Sequence, residues 1–391
     1  MNKKEVFAWG MYDLANTIFS ALYVTFFFPF FIKEFLGGDE FQIGLVFSLS
    51  MVAVGLVVPL IGAWSDALGR RIPFIFWFTV LCCTMTYLTG LLSLTGALIA
   101  GFVANVCYHA ALTTYNALLP KIALKSEQGK VSGIGVGMGY LGTVIALIAG
   151  MLVLSQLGWE TKEGAKAMFI TTAVLFFTLS LFIFAIKEKK QKVKGAFSAA
   201  FKSVGTALRT MKPEVVKFLF AMFFFANAMN AVILFLFLYA REQINLSVQA
   251  FFVVYAIQAV GAMIGSILSG YAVDRFGSKR VLVVAGWLWI AVIGLLLIVN
   301  STLSFAIIGG IGGAALGMVW TAQRPKLLSL IQGKKPGQYF GFLELANKFS
   351  GVIGPLVFGA AVRFANYTVA LLSLVVFFII GLILLRGGSD D

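Results

Sequence analysis

Asp13 and Asn16 stand three residues apart at the head of a very apolar run, YDLANTIFSALYVTFFFPFF, at residues 12–31. A carboxylate can gain and lose a proton or pair with an ammonium, and a nearby amide can hydrogen-bond to either form. At about 100° per residue, Asp13, Asn16, Thr17, Ser20 and roughly Tyr23 share one side of a helix, with Phe26, Phe27 and Phe28 among the apolar remainder. In hydrocarbon a charged side chain costs at least ~2–3 kcal/mol, so this polar stripe is expected to face a protein interior or a water-filled cavity. Two roles fit Asp13. It couples transport to protons or holds a substrate amine, or it forms a fixed ion pair or helix-start interaction near the aqueous surface.

Three further groups of polar residues sit in apolar surroundings. Asn105, His109, Thr113 and Asn116 lie within one apolar segment, with 105, 109 and 116 close on a helical wheel. His109 is the only histidine; it is either a proton shuttle or a neutral core residue. Asn227 and Asn230 are either substrate hydrogen-bonders or interhelical contacts. Arg324 can meet an anion such as Asp13, Glu344 or a substrate carboxylate. Glu344 and Lys348, at i and i+4 with Asn347 beside them, can neutralise each other, and a Lys348–Asp13 latch is a further reading. An amino-acid substrate calls for a buried anion for its ammonium and a buried cation for its carboxylate, and the chain offers both.

The elements that must position these groups follow from composition. Apolar residues make up 60% of the 391 and charged residues only 12%, against about 45–50% and about 25% in soluble domains. Spans of about 20 apolar residues cross a bilayer as helices. They are expected near 6–32, 42–64, 73–93, 97–119, 131–155, 166–186, 214–238, 249–273, 280–299, 303–325, 338–363 and 367–386. The first lacks a small-residue cleavage site and reads as a retained helix. With both termini cytoplasmic, Lys33, Lys162, Lys166, Arg241 and Arg363 fall outside, Arg324 and Lys348 fall within spans, and the rest of the 30 Lys and Arg fall inside. The net charge of +14 therefore reflects topology and attraction to anionic lipid, with no nucleic acid as partner. Cys82, Cys83 and Cys107 read as small buried hydrophobes.

The long connection at 187–213 is basic at its start and amphipathic over 196–211, where Phe197, Phe201, Val204 and Leu208 suit a helix on the cytoplasmic membrane face. It separates two six-span bundles, 1–186 and 214–391. These halves repeat: GAWSDALGRR (62–71) matches GYAVDRFGSKR (270–280), LLPKIA (118–123) matches QRPKLL (323–328), and the Gly-rich fifth span matches FGFLELANKFSGVIGPLVFG (340–359). DLAN (13–16) has NAMN (227–230) as its counterpart. Repeated halves that rock about a mid-membrane site are the architecture of secondary transporters.

The two Gly-x-x-x-Asp-x-x-Gly turns with their cations resemble the signature of the major facilitator superfamily. That resemblance implies an all-α, twelve-helix fold of two pseudo-symmetric bundles. It also implies a conformational latch in which Asp66 or Asp274 accepts from a helix N-terminus and pairs with Arg70, Arg71, Lys279 or Arg280. Within the superfamily the chain is similar to the vacuole effluxer family, related to autophagy-associated amino-acid exporters. This rests on Trp9, Tyr12, Asp13, Ala15, Asn16 and Thr17, on YNALLPKIA (115–123), VSGIGVGMGYLG (131–142), DRFGSKRVL (274–282) and YFGFLELANKFSGVIGPLVFG (339–359). The chain reads NAMN (227–230) where that family often has an acid, and Gln323, Arg324, Pro325 where it usually has S-R-S.

GMGYLG (137–142) fits a dinucleotide pattern but lies inside an apolar span with no strand before it, so it reads as helix packing. There is no Walker motif and no metal-ligand cluster. The expectation is a monomeric, multi-pass inner-membrane exporter of amino acids or similar small polar solutes, working by alternating access, with proton coupling, no cofactor and no enzyme activity. The alternatives are a facilitator or exchanger of another solute such as a sugar, and a lipid flippase or scramblase, which would need a laterally open groove.

Overall fold

The computed structural model describes residues 2–188, 196–246, 248–332 and 334–386. The elements are α1 (Lys3–Phe19), a π-helical segment (Ser20–Phe27), α2 (Phe28–Leu36), α3 (Glu40–Leu68), α4 (Ile72–Thr89), α5 (Leu94–Asn116), α6 (Leu119–Ile122), α7 (Gln128–Leu157) and α8 (Lys162–Ser180). Then follow α9 (Ala196–Thr210), α10 (Pro213–Ile244), α11 (Val248–Phe276), α12 (Ser278–Leu296), α13 (Thr302–Ile331), α14 (Pro336–Phe364) and α15 (Tyr367–Arg386), with 3-10 turns at Lys125–Glu127 and Leu181–Ala185. Among the described residues there is no strand, and twelve helical stretches are long and apolar enough to span a bilayer. The chain is an all-α membrane protein. The basic start of the linker, residues 189–195, lies outside the described residues.

Caps, and not hydropathy, set where these helices begin and end. Asp39 accepts from the Gln42 N–H at 2.7 Å and its own N–H is bonded by the Gln42 side chain, a capping box that starts α3. Ser301 and Ser304 do the same for α13. Gly69, at φ 63°, supplies the left-handed residue that ends α3. Several helices consequently outrun the apolar runs from which they were read. α3 continues to Leu68 and α11 to Phe276, so Asp66 and Asp274 close the last turns of helices instead of sitting in loops. α13 continues to Ile331, so Lys326, expected in the cytoplasm, is a buried residue of a spanning helix.

The first span changes winding at Ser20. Its bonding widens to i→i+5 over Ser20–Phe27, and the Thr25 hydroxyl donates to the Ser20 carbonyl at 2.9 Å. A wheel of fixed period therefore fails beyond Phe19. Tyr23 leaves the polar stripe, is buried, and bonds the Thr89 hydroxyl at 2.7 Å.

The chain forms two compact units. The first contains Met1–Ala123, Met138–Thr206 and Lys335–Gly341. In it Trp9 stacks on Tyr115 at 4.6 Å and donates from Nε1 to the Tyr115 carbonyl at 3.2 Å. Tyr12 stacks on Tyr115 at 5.0 Å and bonds the Thr79 hydroxyl at 2.8 Å. These contacts fix the roll of α1 and hence the direction of Asp13.

The second unit contains Leu124–Gly137, Ala207–Lys334 and Phe342–Asp391. Here α11 and α13 meet through small residues. A Cβ at Gly261, Gly313 or Gly317 would overlap the backbone of the facing helix. Trp289, Phe225 and Phe378 fill the core beside them.

Large apolar side chains such as Leu56, Trp77, Leu152 and Leu268 are exposed along the spans. In a bilayer that surface meets lipid, so the helices are held by close packing and internal polar contacts more than by apolar burial.

Candidate functional site

In the first unit Asp13 is only 5% exposed. Asn16 Nδ2 donates to Asp13 Oδ1 at 3.3 Å, and Thr17 Oγ1 donates to the Asp13 carbonyl at 2.8 Å. Ser20 is half-buried and donates to the Thr17 carbonyl at 3.0 Å. α7 approaches this turn at Gly139, where a Cβ would come within 2.8 Å of Thr17 Oγ1 and 3.8 Å of the Asp13 carboxyl carbon. Gly142, one turn on, lies against the Leu14 carbonyl. The glycine-rich fifth span thus brings backbone up to the carboxylate's helix.

α5 carries the second polar group. Asn105 Nδ2 donates to Ser50 Oγ at 2.7 Å, and Ser50 donates on to the Phe47 carbonyl, so Asn105 ties α5 to α3. His109 is buried with its ring edge-on to Tyr108 at 4.7 Å. Thr113 and Asn116 are buried further along α5, and Thr113 Oγ1, Asn116 Oδ1 and Asn16 Oδ1 have no hydrogen-bond partner among the described residues. Such atoms are costly unless a ligand or water completes them.

The second unit carries mainly amides. Asn347 Nδ2 donates to Gln323 Oε1 at 3.3 Å, and Asn230 Nδ2 donates to Ser350 Oγ at 2.9 Å. Asn227 is buried, donates to the Phe223 carbonyl at 2.8 Å, and lies where Gly354 lets α14 approach α10. Arg324 is buried in α13. Lys348 Nζ lies 3.8 Å from Glu344 Oε1, with Glu344 buried and Lys348 half-buried. The i,i+4 pair foreseen from spacing is therefore formed, while Gln323, which sequence marked only as a departure, is engaged in the amide chain.

Each signature aspartate receives the first turn of a helix. Gly337 and Gln338, opening α14, donate backbone N–H bonds to Asp66 at 3.1 and 3.0 Å, and Arg71 Nη2 joins at 2.8 Å. Gly62 and Gly337 face each other so closely that a Cβ on Gly62 would overlap the Gly337 carbonyl, and Gly341 lies on Pro59. In the second copy Gly129 and Lys130, opening α7, donate to Asp274 at 2.7 and 2.8 Å, and Gly133 lies against the Ser266 carbonyl. A carboxylate at a helix N-terminus is electrostatically favoured. The cations behave less alike. Arg71 reaches Asp66, whereas Arg70 lines a recess with Trp77 and Phe184, and Lys279 and Arg280 line another together with Asp274.

Glu188 is a residue the sequence gave no reason to single out, a lone acid in KEKKQKVK. Its carboxylate accepts from the Arg71 N–H at 2.8 Å and the Ile72 N–H at 2.9 Å, and lies 3.7 Å from Lys121 Nζ. It caps α4 beside the signature arginine. The linker helix α9 is fastened nearby: Ser203 Oγ donates to Gln338 Oε1 at 2.8 Å and accepts from Lys335 Nζ at 2.8 Å. Among the described residues no group of three His, Cys, Asp or Glu could hold a metal.

Comparison with known proteins agrees with this architecture. The family model described as Major Facilitator Superfamily matches residues 14–264 and 253–389. An uncharacterized MFS-type transporter of Bacillus subtilis, YxiO, is 24% identical over 98% of this chain and 94% of its own. The multidrug resistance protein MdtG of Escherichia coli is 26% identical over 83% of this chain and 78% of its own. Among solved structures, the major facilitator transporter FucP in an outward conformation superposes with a TM-score of 0.80 at 16% identity, covering 99% of this chain and 98% of its own. Its fold is theirs, and with the family model spanning both halves of the sequence, this chain belongs to the major facilitator superfamily, a family of transporters.

Proposed function

We propose that the chain is a proton-coupled secondary transporter of the inner membrane, with both termini cytoplasmic, that exports amino acids or similarly small polar solutes by alternating access of two six-helix bundles. The observation that carries this reading is Asp13, a buried carboxylate in span one with an amide one turn away and a backbone-lined approach at Gly139. A proton carrier needs a group that can be charged in one exposure and neutral in the other. The first unit offers this anion for a substrate ammonium or a proton. The second unit carries its own polar groups, the buried Arg324 and the amides of Asn227, Asn230 and Asn347. The resemblance of the first span to the vacuole effluxer family supports the same substrate class. The Asp66 and Asp274 contacts serve as conformational latches that break and reform in the cycle.

A second reading, a sugar carrier, draws on the amide-rich second unit and on one structural neighbour described as a fucose:proton symporter. Purified protein in liposomes, offered labelled amino acids, sugars, lipophilic drugs and lipids with and without a pH gradient, separates these readings. Amino-acid movement is expected. Movement of sugar, drug or lipid alone overturns the substrate class.

A further inference from the structure

The turn between α11 and α12 carries a recess of about 790 Å³ to which the transport reading assigns no ligand. Four cations line it, Lys125, Arg275, Lys279 and Arg280, against one acid, Asp274. That acid accepts from the Gly129 and Lys130 N–H groups, and Glu127 lies close enough to it to add a second negative charge, so four cations against two carboxylates leave the recess net positive. Gly277 precedes α12 and supplies no capping side chain, so the first N–H groups of a 19-residue helix add their partial positive charge to the same lining. The hydroxyls of Ser126 and Ser329 also belong to it.

The rim is apolar. Leu124 is 64% and Phe276 50% exposed, and the Arg275 guanidinium lies 5.1 Å from the Phe276 ring centroid. Phe276 ends one spanning helix and Ser278 begins the next, which places the recess at the level where hydrocarbon gives way to headgroups. Anion chemistry inside and hydrocarbon chemistry at the lip, at that depth, match an amphiphile with a negative head. The repeat-related turn after α3 is different. Its recess is about 380 Å³, and its lining carries one cation, Arg70, and one acid, Glu188. The net positive site therefore belongs to the second copy.

We propose that this recess binds the phosphate headgroup of an anionic phospholipid, with Lys125, Arg275, Lys279 and Arg280 as its cations and Leu124 and Phe276 against the acyl chains. The assignment stands independently of which solute is carried. It places a lipid in the same turn as Asp274, so that lipid composition bears directly on the hold between α11 and the start of α7.

Native mass spectrometry of the full chain in detergent, titrated with phosphatidylglycerol and with phosphatidylcholine, tests it. Retention of phosphatidylglycerol over phosphatidylcholine is expected, with about a thirtyfold loss of that preference in Lys125→Gln/Arg275→Gln, given about one charge-contact's worth of affinity from each of the two cations. A control removing two cations elsewhere, Lys162→Gln/Arg363→Gln, is expected to keep it. Equal loss in both double variants, or no preference in the unaltered protein, overturns the site. Displacement of the lipid by millimolar inorganic phosphate or glycerol phosphate overturns the lipid as its occupant in favour of a soluble anion. Monodisperse elution of each variant and the retained binding of the control keep misfolding from passing as lost affinity.

Discussion

Thr113 holds its hydroxyl buried in α5 without a hydrogen-bond partner among the described residues, and the side-chain oxygens of Asn16 and Asn116 share that state. A buried polar atom left unmade costs about 1–3 kcal/mol. Thr113→Val keeps the shape and removes the unmet group, so the unfolding temperature in detergent should hold or rise. If the hydroxyl meets the carried solute, the KM for transport rises several-fold in the same variant. Thermal unfolding and concentration-dependent uptake check the two together, and a falling unfolding temperature would mean that the hydroxyl has a structural partner. Asp13 and Asn16 were legible in the sequence because a charge in an apolar run has few tolerable places. The pairing of Asn105 with Ser50, and of Asn347 with Gln323, was not legible, because composition does not say which spans face each other.

Helix ends show the same division. The existence of twelve spans follows from hydrophobic length, which the bilayer imposes on every one of them. Their limits follow from caps and partner contacts, so α3 and α11 carry Asp66 and Asp274 as last-turn residues where the apolar runs had already stopped. The π segment at Ser20–Phe27 left no mark, since SALYVTFF holds neither Gly nor Pro to announce a change of winding. Glu188 was hidden by the lysines around it, yet it caps α4. Glu188→Gln keeps the size but gives up the charge-assisted bonds to the Arg71 and Ile72 N–H groups. A loss of about 1–3 kcal/mol is expected, read as a drop of several degrees in unfolding temperature. An unchanged temperature would show that the cap contributes nothing.

Over the whole chain, duplication was the most readable feature, because a repeated spacing of Gly, Asp and cations survives where the rest of the two halves has diverged. The proposed orientation rests on charge, with Lys and Arg gathered at one set of connections in the sequence. In a cysteine-free background, Lys202→Cys should react with a membrane-impermeant maleimide only from the cytoplasmic side, and Glu160→Cys only from the other. The reverse pattern would invert the topology and the sense of export. Substrate class was the least readable property, since a buried anion and a buried cation suit any zwitterion.

The most direct measurement is simultaneous recording of labelled amino-acid movement and luminal pH in proteoliposomes of the unaltered protein and of Asp13→Asn. The unaltered protein should accumulate the solute under an imposed pH gradient, with a matching proton flux, and Asp13→Asn should retain only exchange without accumulation. Accumulation by Asp13→Asn at the unaltered rate, with its proton flux intact, would contradict the role assigned to Asp13.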